Sequence, residues 1–383
     1  MNIILFDYNR ENLFPLTYTR PVSYLRVGIY TIKEKWEFYF DNVYIKTEEY
    51  LHKKFPINIT EENIWINASI LPNEELVTEI KSLRKGESLM RGEEIVGFNN
   101  HKFTCSKLDK IETHANYNQI NNCCDIFSLN GEEIKHDFKF FKDQSQSLSA
   151  TNNVLGKFPI FIEKGASIEH SILNATEGPI YIGKDAVIME GSMIRGPFAL
   201  CNNAVVKMGA KVYGSTTIGP FSKIGGEVNN VVFLGYSSKA HDGFLGNSVI
   251  GEWCNLGADT NSSNLKNNYS EVKIWDYSDS KFKDTGLKFC GLIMGDHSKC
   301  GINTMFNTGT TVGICCNIFG SGFPRTFIPS FSWGGNAGFK TYKLNKVFEV
   351  AEIVMNRRSV SLDNLDKLIL ETLFEMTSKY RNY

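Results

Sequence analysis

The chain has 383 residues, which is enough for two domains or for one domain followed by an extended solenoid. Its 41 basic and 42 acidic side chains give a formal net charge of −1, and this excludes the basic excess typical of proteins that bind nucleic acid or anionic membranes. No apolar run reaches membrane-spanning length, and no basic segment precedes an apolar one at the N-terminus. We therefore expect a cytoplasmic protein.

Residues 1–150 show an alternation of strands and helices, which is typical of a parallel sheet with a ligand crevice at its strand ends. A hairpin is predicted over 85–105, and the polar run Lys142–Asn153 is predicted to be a linker. The predicted strands are Asn2–Phe6, Val43–Lys46 and Ile64–Leu71, and the predicted helices are Val27–Phe40, Glu48–Lys54 and Glu74–Leu83.

A six-residue pattern organises the stretch from Ile182 to Gly226. Aliphatic residues recur every six positions, and in most repeats a small residue follows four places later; a period of 3.6 or 2 does not fit this spacing. The pattern predicts a left-handed parallel β-helix of hexapeptide repeats over 155–338. The aliphatic positions are Ile182, Ile188, Ile194, Leu200, Val206, Val212, Ile218 and Ile224.

Glycines recur near the expected corners of this prism. We expect them to adopt positive φ or to permit tight turns, and Gly219 is expected to have a positive φ. The phase slips through Val231–His241 and is lost again over Ser262–Lys288, which predicts an external loop. After the β-helix, residues 340–383 show helical periodicity and predict two helices divided near Ser359–Ser361.

Nine cysteines occur without a C-x-x-C pair or regular spacing. We interpret them as reduced thiols that serve as small buried side chains. A zinc triad of His170, His241 and His297 is disfavoured because no two of these histidines are close in sequence, and no metal site is predicted on the β-helix.

His241 begins the sequence HDGF at the phase slip, one coil before the polar loop. This position predicts an exposed side chain beside a cleft. A histidine accepts a proton near neutral pH, so His241 is a candidate general base for a nucleophile that must lose one. Backbone N–H groups of the coil Asn255–Ala258 would then face a developing oxyanion. The alternative is that His241 is a solvated surface side chain.

The segment AHDGFLGNSVIGEWCNLGADTNSSN resembles the acetyltransferase half of the bifunctional N-acetylglucosamine-1-phosphate uridylyltransferase/glucosamine-1-phosphate acetyltransferase. The whole chain is also similar to a related group of alternative versions of that enzyme found in Bacteroidetes. The segments that carry this second resemblance are PLTYTRPV, LRVGIYTIKEKW, GDHSKCGINTMFNTGT and FIPSFSWGG.

The resemblance implies a step of nucleotide-sugar biosynthesis that supplies the cell envelope, with acetyl-CoA as cofactor. It places His241 on the general base, and Phe244, Asn255 and Asn264 on substrate-binding positions. Phe244 lacks the hydroxyl of the family's Tyr, and a phosphate-contacting Lys is replaced around Asn229, so the acceptor sugar stays open. Coenzyme A is expected to contact Ala258, Gly320 and Arg325.

The resembling enzymes bind coenzyme A between adjacent prisms, so we expect a homotrimer around an axis parallel to the β-helix. Phe306, Phe319 and Phe323 are expected to provide apolar surface for this assembly. Lys340 and Lys343 follow the last coil, either close to the coenzyme phosphates or as a solvated basic rim.

The N-terminal region departs from sugar-1-phosphate nucleotidyltransferases, whose first strand leads into a glycine-rich phosphate loop. No glycine precedes Gly28, so Arg10, Arg20 and Arg26 would have to replace that cradle. Arg20 is the best candidate to bind substrate; alternatively it pairs with Asp7 or Glu11.

The strand that should end in a magnesium-binding carboxylate carries Asn67 and Ala68 instead. Mg²⁺ is therefore expected only if this domain is active. The first expectation is an acetyltransferase acting on an amino-sugar phosphate or nucleotide sugar. The alternatives are a sugar-1-phosphate uridylyl- or thymidylyltransferase that uses the β-helix for assembly, and a non-catalytic scaffold that binds a nucleotide sugar.

Overall fold

The computed structural model describes residues 2–141 and 145–383, and it contains an α/β region, a parallel β-helix and two C-terminal helices. The predicted fold class is confirmed. The first residues of the predicted linker Lys142–Asn153 lie outside the described residues, and the β-helix begins within it, at a strand over Asn153–Gly156.

The α/β region contains a six-stranded sheet of order β2-β1-β3-β5-β4-β6. The strands β2, β1 and β3 are parallel, and β4 and β5 form the predicted antiparallel hairpin. The central strands β1 and β3 are buried along their whole length, as the near-continuous apolar runs of parallel strands usually are. The strands are β1 Asn2–Phe6, β2 Val43–Lys46, β3 Asn63–Asn67, β4 Glu87–Arg91, β5 Glu94–Asn99 and β6 Asp109–Glu112.

The α/β region also contains four α-helices: α1 Ile32–Glu37, α2 Glu49–His52, α3 Glu74–Ser82 and α4 Cys123–Asp137. The predicted helix Val27–Phe40 is too long, because Gly28 has a φ of +80° and the Thr31–Glu34 capping box starts α1. The fifteen-residue α4 was not predicted.

Helix α4 joins the α/β region to the β-helix. The Asn130 Oδ1 accepts hydrogen bonds from the Gly28 N–H at 2.8 Å and the Thr217 hydroxyl at 3.0 Å, and its Nδ2 donates to the Ser215 carbonyl at 2.9 Å. A Cβ on Gly131 would lie 2.2 Å from the Ser215 Oγ, so only glycine permits this approach. The two parts also share one apolar core, and the β-helix contributes Val232, Leu234, Val249 and Ile293 to it.

The β-helix has three faces, which we call A, B and C in the order in which the chain passes through them. Two nine-residue strands, Glu227–Gly235 and Phe244–Glu252, each continue from face A into face B. The other strands of face A are Asn153–Gly156, Ile172–Ala175, Met193–Arg195, Lys211–Tyr213, Asn261–Ser262 and Met305–Phe306. Face B has Ile160–Ile162, Ile180–Ile182, Phe198–Leu200, Thr216–Ile218, Ile293–Met294, Thr311–Val312 and Phe327–Ile328. Face C has Ser167–Ile168, Val187–Ile188, Val205–Val206, Lys223–Ile224, Ser238–Lys239, Asn255–Leu256, Lys299–Cys300, Asn317–Ile318 and Ser332–Gly335.

The repeated aliphatic side chains point inward and pack between coils. Ile188, Val206 and Ile224 pair with one another on face C, three hexapeptides apart, and all three are buried. All eight aliphatic positions of the repeat belong to one apolar core along the prism. The aliphatic residues of the six-residue pattern are therefore the side chains that fill the interior of the prism.

The expectation of a positive φ at Gly219 is wrong. Gly219 does not adopt a left-handed conformation; the left-handed residue of that corner is Phe221, with a φ of 58°. Gly219 is needed for a different reason, since a Cβ there would lie 2.2 Å from the Leu234 carbonyl oxygen of the next coil. Gly191, Gly209 and Gly214 do have the expected positive φ.

The C-terminal helices are α5 Leu344–Asn356 and α6 Asn364–Met376, close to the predicted division. They pack onto the β-helix through a core that includes Trp253 and Phe331. The predicted external loop contains an antiparallel hairpin of Lys273–Asp276 and Lys281–Asp284, and the strand Gly338–Thr341 pairs antiparallel with Ser332–Gly335. Across residues 2–141 and 145–383, none of the helices has the length and apolar character needed to span a membrane.

Candidate active site

His241 lies on the corner where face C turns into face A, which we call the C–A corner. Ser238 pairs with Asn255, so Ala258 lies on the next coil at the position that corresponds to His241. Asn255 pairs with Lys299, so Ile302 occupies the same position one coil further on. The pairing of Cys300 with Ile318 places Gly320 on the following coil. Successive coils are about 4.8 Å apart, so the corner forms one line from His241 to Gly320.

A shortened coil creates this position for His241. On face C, Ile224 pairs with Lys239, whereas a full eighteen-residue coil would have placed Asp242 there. The shortening puts Lys239 inside the prism and leaves His241 exposed two residues later. The phase slip in the sequence thus marks the shortened coil that leaves the His241 side chain exposed.

Lys239 is the residue that sequence reasoning missed. Its side chain is only 1% exposed, and its Nζ donates to the carbonyls of Gly225 at 3.0 Å and His241 at 2.9 Å. Burial lowers the pKa of Lys239 to about 8, although Asp242 and Asp259 oppose the shift. The lysine therefore fixes the backbone of His241 from inside the β-helix. A lysine at an aliphatic position of the hexapeptide pattern was the available signal.

Phe244 and Asn264 converge on face A, the face that follows the corner carrying His241. A Cβ on Gly246 would lie 2.6 Å both from the Phe244 Cζ and from the Asn264 Nδ2, so both side chains lie over this glycine. The Asn264 Nδ2 also donates to the Asn247 Oδ1 at 2.8 Å. The structure thus brings together two of the three predicted substrate-binding side chains that lie on the β-helix.

Asn255 lies on the other side of the corner, on face C, where its side chain is exposed. The N–H of Gly257 donates to the Cys300 carbonyl at 3.1 Å, while the Ala258 carbonyl accepts from the Asn303 N–H at 2.9 Å. Within the described residues, the Ala258 N–H has no hydrogen-bond acceptor. Of Gly257 and Ala258, it is therefore Ala258 whose N–H is available to an oxyanion.

Apolar side chains are exposed along the same edge. Phe319 and Phe323 are 37% and 48% exposed, but Phe306 is 1% exposed, so its expected surface position is wrong. Phe306 points into the prism because it occupies an inward strand position of face A. Ile302, which was not predicted, is 70% exposed on the C–A corner. Arg325 is exposed beyond the last of these coils.

The strand-end crevice of the α/β region is closed by its own polar groups. Asp7 follows β1 and accepts hydrogen bonds from the Val22 N–H at 2.8 Å and the Thr47 hydroxyl at 2.6 Å, and it pairs with Arg10 at 3.4 Å. Burial raises the pKa of Asp7 although Arg10 opposes this. The Arg10 guanidinium also donates to the Thr17 carbonyl.

Arg20 pairs with neither Asp7 nor Glu11, which corrects the alternative expected for it. The buried Arg20 guanidinium pairs with the half-buried Glu252, at 2.8 Å, and with the buried Asp296, both on the β-helix. Burial alone would lower the pKa of Arg20, but these two carboxylates raise it above its ordinary value. Arg20 thus connects the polar turn to the β-helix.

The other two polar groups predicted near the crevice are also satisfied internally. The Arg26 guanidinium donates to the Ile29 carbonyl and lies 3.7 Å from the Glu34 carboxylate. The Asn67 Oδ1 accepts from the Ser69 N–H at 3.0 Å and hydroxyl at 2.8 Å, and its Nδ2 donates to Glu94 at 3.2 Å.

One group of potential metal ligands occurs nearby on α4, where atoms of Glu133, His136 and Asp137 lie within 4.8 Å of one another. The buried Lys35 ammonium pairs with both carboxylates, at 2.9 Å from Glu133. Burial raises the pKa of Asp137 to about 6 against the effect of Lys35. The lysine supplies the positive charge that a cation would bring, so we assign no metal to this group.

The chain matches one family model and several curated relatives. Residues 3–146 match the family model described as sugar nucleotidyl transferase. Over 255 residues the chain is 27% identical to the bifunctional protein GlmU of Methanocaldococcus jannaschii, covering 66% of this chain and 55% of the relative. It is 31% identical over 162 residues to a bifunctional sugar-1-phosphate nucleotidylyltransferase/acetyltransferase of Sulfurisphaera tokodaii, covering 42% and 39% of the two chains. The chain resembles these bifunctional transferases at modest identity.

The chain spans about half the length of the first of these curated relatives. Among solved structures, it is similar to a UDP-N-acetylglucosamine acyltransferase from Campylobacter jejuni, with 16% identity, a TM-score of 0.24, and coverage of 61% of this chain and 94% of that one. The polysialic-acid-specific acetyltransferase NeuO gives 13% identity and a TM-score of 0.23, with coverage of 50% and 87%.

Proposed function

We propose that the protein is an acetyl-CoA-dependent acetyltransferase that acts on an amino-sugar phosphate or a nucleotide sugar. The observation that carries this proposal is the strand register that aligns His241, Ala258 and Gly320 along one exposed corner. This line extends over about three coils, or roughly 14 Å, which suits an extended thioester-bearing arm lying along the corner.

In the proposed reaction, the neutral acceptor amine attacks the thioester carbonyl and forms a C–N bond. The His241 imidazole accepts the proton that the nitrogen loses, and the Ala258 N–H donates to the oxyanion. The C–S bond then breaks and the coenzyme thiolate leaves with its electron pair. Lys239 acts as a positioning residue, because it holds the carbonyl of His241.

Phe244 and Asn264 are proposed to contact the acceptor from face A, while Asn255 contacts it from face C. Because the corner separates these two groups, a homotrimer in which the corner of one prism meets a face of the next would bring both to one ligand. The exposed Ile302 and Phe319 support such a contact. Light scattering that returns a trimer mass would support this assembly, and a stable monomer at micromolar concentration would contradict it.

The test of the main proposal is release of the coenzyme A thiol from acetyl-CoA in the presence of glucosamine-1-phosphate, with galactosamine-1-phosphate and amino-nucleotide sugars as further acceptors. We expect turnover with an amino-sugar acceptor and no turnover with its N-acetylated form. Absence of thiol release with every acceptor would overturn the proposal.

Nucleotidyl transfer by the α/β region is the second candidate, and the family match over residues 3–146 favours it. Mg²⁺ would then be required to neutralise the triphosphate. The test is pyrophosphate release from UTP or dTTP with a sugar-1-phosphate and Mg²⁺. We expect none, because Arg10, Arg20 and Arg26 are all engaged within the protein.

Two finer assignments complete the proposal. We place the chain with the Bacteroidetes group of alternative bifunctional enzymes, on the segments that carry that resemblance. We place its reaction in the cytoplasm, since all nine cysteines are free thiols and eight of them are buried.

A further inference from the structure

A cavity of about 580 Å³ lies between face C of the β-helix and helix α5. Its floor includes Lys223, Ser238, Asn255 and Lys299, which occupy outward positions on four consecutive strands of face C. Its other wall comes from α5 and the turn after it. The α5 side contributes Val350, Val354, Arg357 and Arg358.

Four of the lining side chains are cations: Lys223, Lys299, Arg357 and Arg358. No carboxylate lines the cavity, and within residues 2–141 and 145–383 none of the four forms an ion pair. The Lys299 Nζ donates only to the His297 carbonyl, at 2.9 Å. Buried charges in proteins are usually paired with a charge of opposite sign. Among the described residues, these four cations have no carboxylate partner.

The cations also act on one another. Burial lowers the pKa of Lys223, and the charges of Arg358, Lys207 and Arg357 lower it further. The pKa of Lys299 is likewise lowered by burial. Bringing like charges together without an anion costs free energy in the folded protein, which a bound anion would offset.

Two aromatic rings also line the cavity. Tyr236 and Trp253 stack at a centroid distance of 4.2 Å, and Phe221 covers the opposite face of Tyr236 at 5.0 Å. Because both faces of Tyr236 are covered, its ring forms a rigid wall and offers no stacking surface to a ligand. Recognition in this cavity therefore depends on the anionic groups of the ligand, not on a planar base.

We propose that this cavity binds a small molecule through a diphosphate or two neighbouring phosphate groups. Guanidinium groups bind phosphate oxygens in a bidentate manner, and lysine ammonium groups add further charge-assisted bonds. The cavity volume lies within the range of sites for nucleotide-sized ligands. Ser238, on the cavity floor, lies three residues before His241, or about 10 Å along an extended strand. Asn255, which is proposed to contact the acceptor, also lines the cavity, so the cavity adjoins the proposed acetyl-transfer site and a long ligand would reach both.

The test is calorimetric titration of the full-length protein with inorganic pyrophosphate at low salt. Wild type is expected to bind, with an affinity that falls as salt is added. The double variant Lys223→Gln/Arg358→Gln is expected to bind at least tenfold more weakly. Lys346→Gln is the matched control, because Lys346 lies on the same helix but pairs with Glu349 outside the cavity, and it should bind within twofold of wild type.

Thermal unfolding supplies a second readout that does not depend on the calorimetry. Without ligand, Lys223→Gln should unfold at the same or a higher temperature than wild type, since it relieves repulsion. Pyrophosphate should raise the unfolding temperature of wild type and of Lys346→Gln, but not that of the double variant. Should the double variant fail to fold, the exposed Arg357→Gln is used instead. No binding by wild type, or equal binding by the folded cavity variants, would overturn the proposal.

Kinetics distinguish the sources of the diphosphate. If it belongs to coenzyme A or to a nucleotide-sugar acceptor, the double variant raises the KM of that substrate, and the substrate displaces pyrophosphate. If it belongs to a separate effector, both KM values stay unchanged while pyrophosphate binding is lost. His241→Ala should retain full pyrophosphate binding, so failure of acetyl transfer and failure of this site are separately visible.

Discussion

The strand-end crevice of the α/β region and the C–A corner of the β-helix both contain site residues that were predicted from the sequence. They differ in whether the polar groups of these residues are paired within the protein. In the crevice, Asp7, Arg10 and Arg20 are all buried and paired within the protein. At the corner, His241 is exposed and the Ala258 N–H has no acceptor among the described residues.

This difference indicates what each region contributes. Groups that satisfy one another stabilise the contact between elements, and removing one partner leaves an uncompensated buried charge. Groups left open on a rigid scaffold are available to a ligand at no cost in protein contacts. In the crevice, Arg20 therefore joins the α/β region to the β-helix, while the corner leaves His241 and the Ala258 N–H open to a ligand.

The largest effect is expected at the corner. His241→Ala should lower acetyl transfer by roughly 10²–10⁴-fold, the usual contribution of a positioned acid–base group. His170→Ala is the matched control, because His170 is also exposed and occupies the same coil position four coils earlier. Thiol release measures both variants. Equal loss in both, or no loss in a folded His241→Ala, would remove His241 from the mechanism.

In the crevice the main effect should be on stability. Arg20→Gln leaves the Glu252 and Asp296 carboxylates without their cation, and the expected loss is about 3–5 kcal/mol in the free energy of unfolding. Urea unfolding measures this loss, with the exposed Arg325→Gln as a control that should change little. If Arg20→Gln instead keeps its stability and abolishes UTP binding shown by wild type, the crevice is a nucleotide site and the comparison fails.

The β-helix was predictable because its sequence pattern is local and repeated. Each coil needs an inward-pointing aliphatic residue at every sixth position. Helix α4 was missed because Asn130 and Gly131 interrupt its apolar pattern. Asn130 is explained by its hydrogen bonds with Gly28, Ser215 and Thr217, and Gly131 by its close approach to Ser215. The partners of Arg20 were equally hidden, since Glu252 and Asp296 are far away in sequence. Pairing between residues so far apart in the chain produces no periodic pattern in the sequence.

The third prediction concerns the support of the corner by Lys239. Its folded-state pKa of about 8 lies below the value of about 10.4 expected in the unfolded chain. Between these values the unfolded chain binds the additional proton, so this lysine makes the free energy of unfolding rise with pH, by about 3 kcal/mol in total. Lys239→Met should lose this part of the rise.

The measurement is urea unfolding of wild type and Lys239→Met at pH 7.5 and pH 10.5, which isolates Lys239 from the other groups that titrate in that range. Lys211→Met, an exposed lysine of face A, should keep the wild-type pH dependence. If wild type and Lys239→Met show the same difference between the two pH values, the lysine is not held in a desolvated site.

The smallest effect tests whether the crevice can be reopened for a metal. Asn67→Asp restores the carboxylate that nucleotidyltransferases carry, but it places a second negative charge beside Glu94, whose carboxylate now accepts from the Asn67 amide at 3.2 Å. We expect a loss of about 1–3 kcal/mol in the free energy of unfolding, the cost of an unmade buried polar contact. Added Mg²⁺ should not recover it, because Ser69 and Gln119 already occupy the other polar positions around Asn67 and Glu94. Millimolar Mg²⁺ that stabilises Asn67→Asp but not wild type would show instead that the crevice keeps the geometry of a metal site and lacks only its charge.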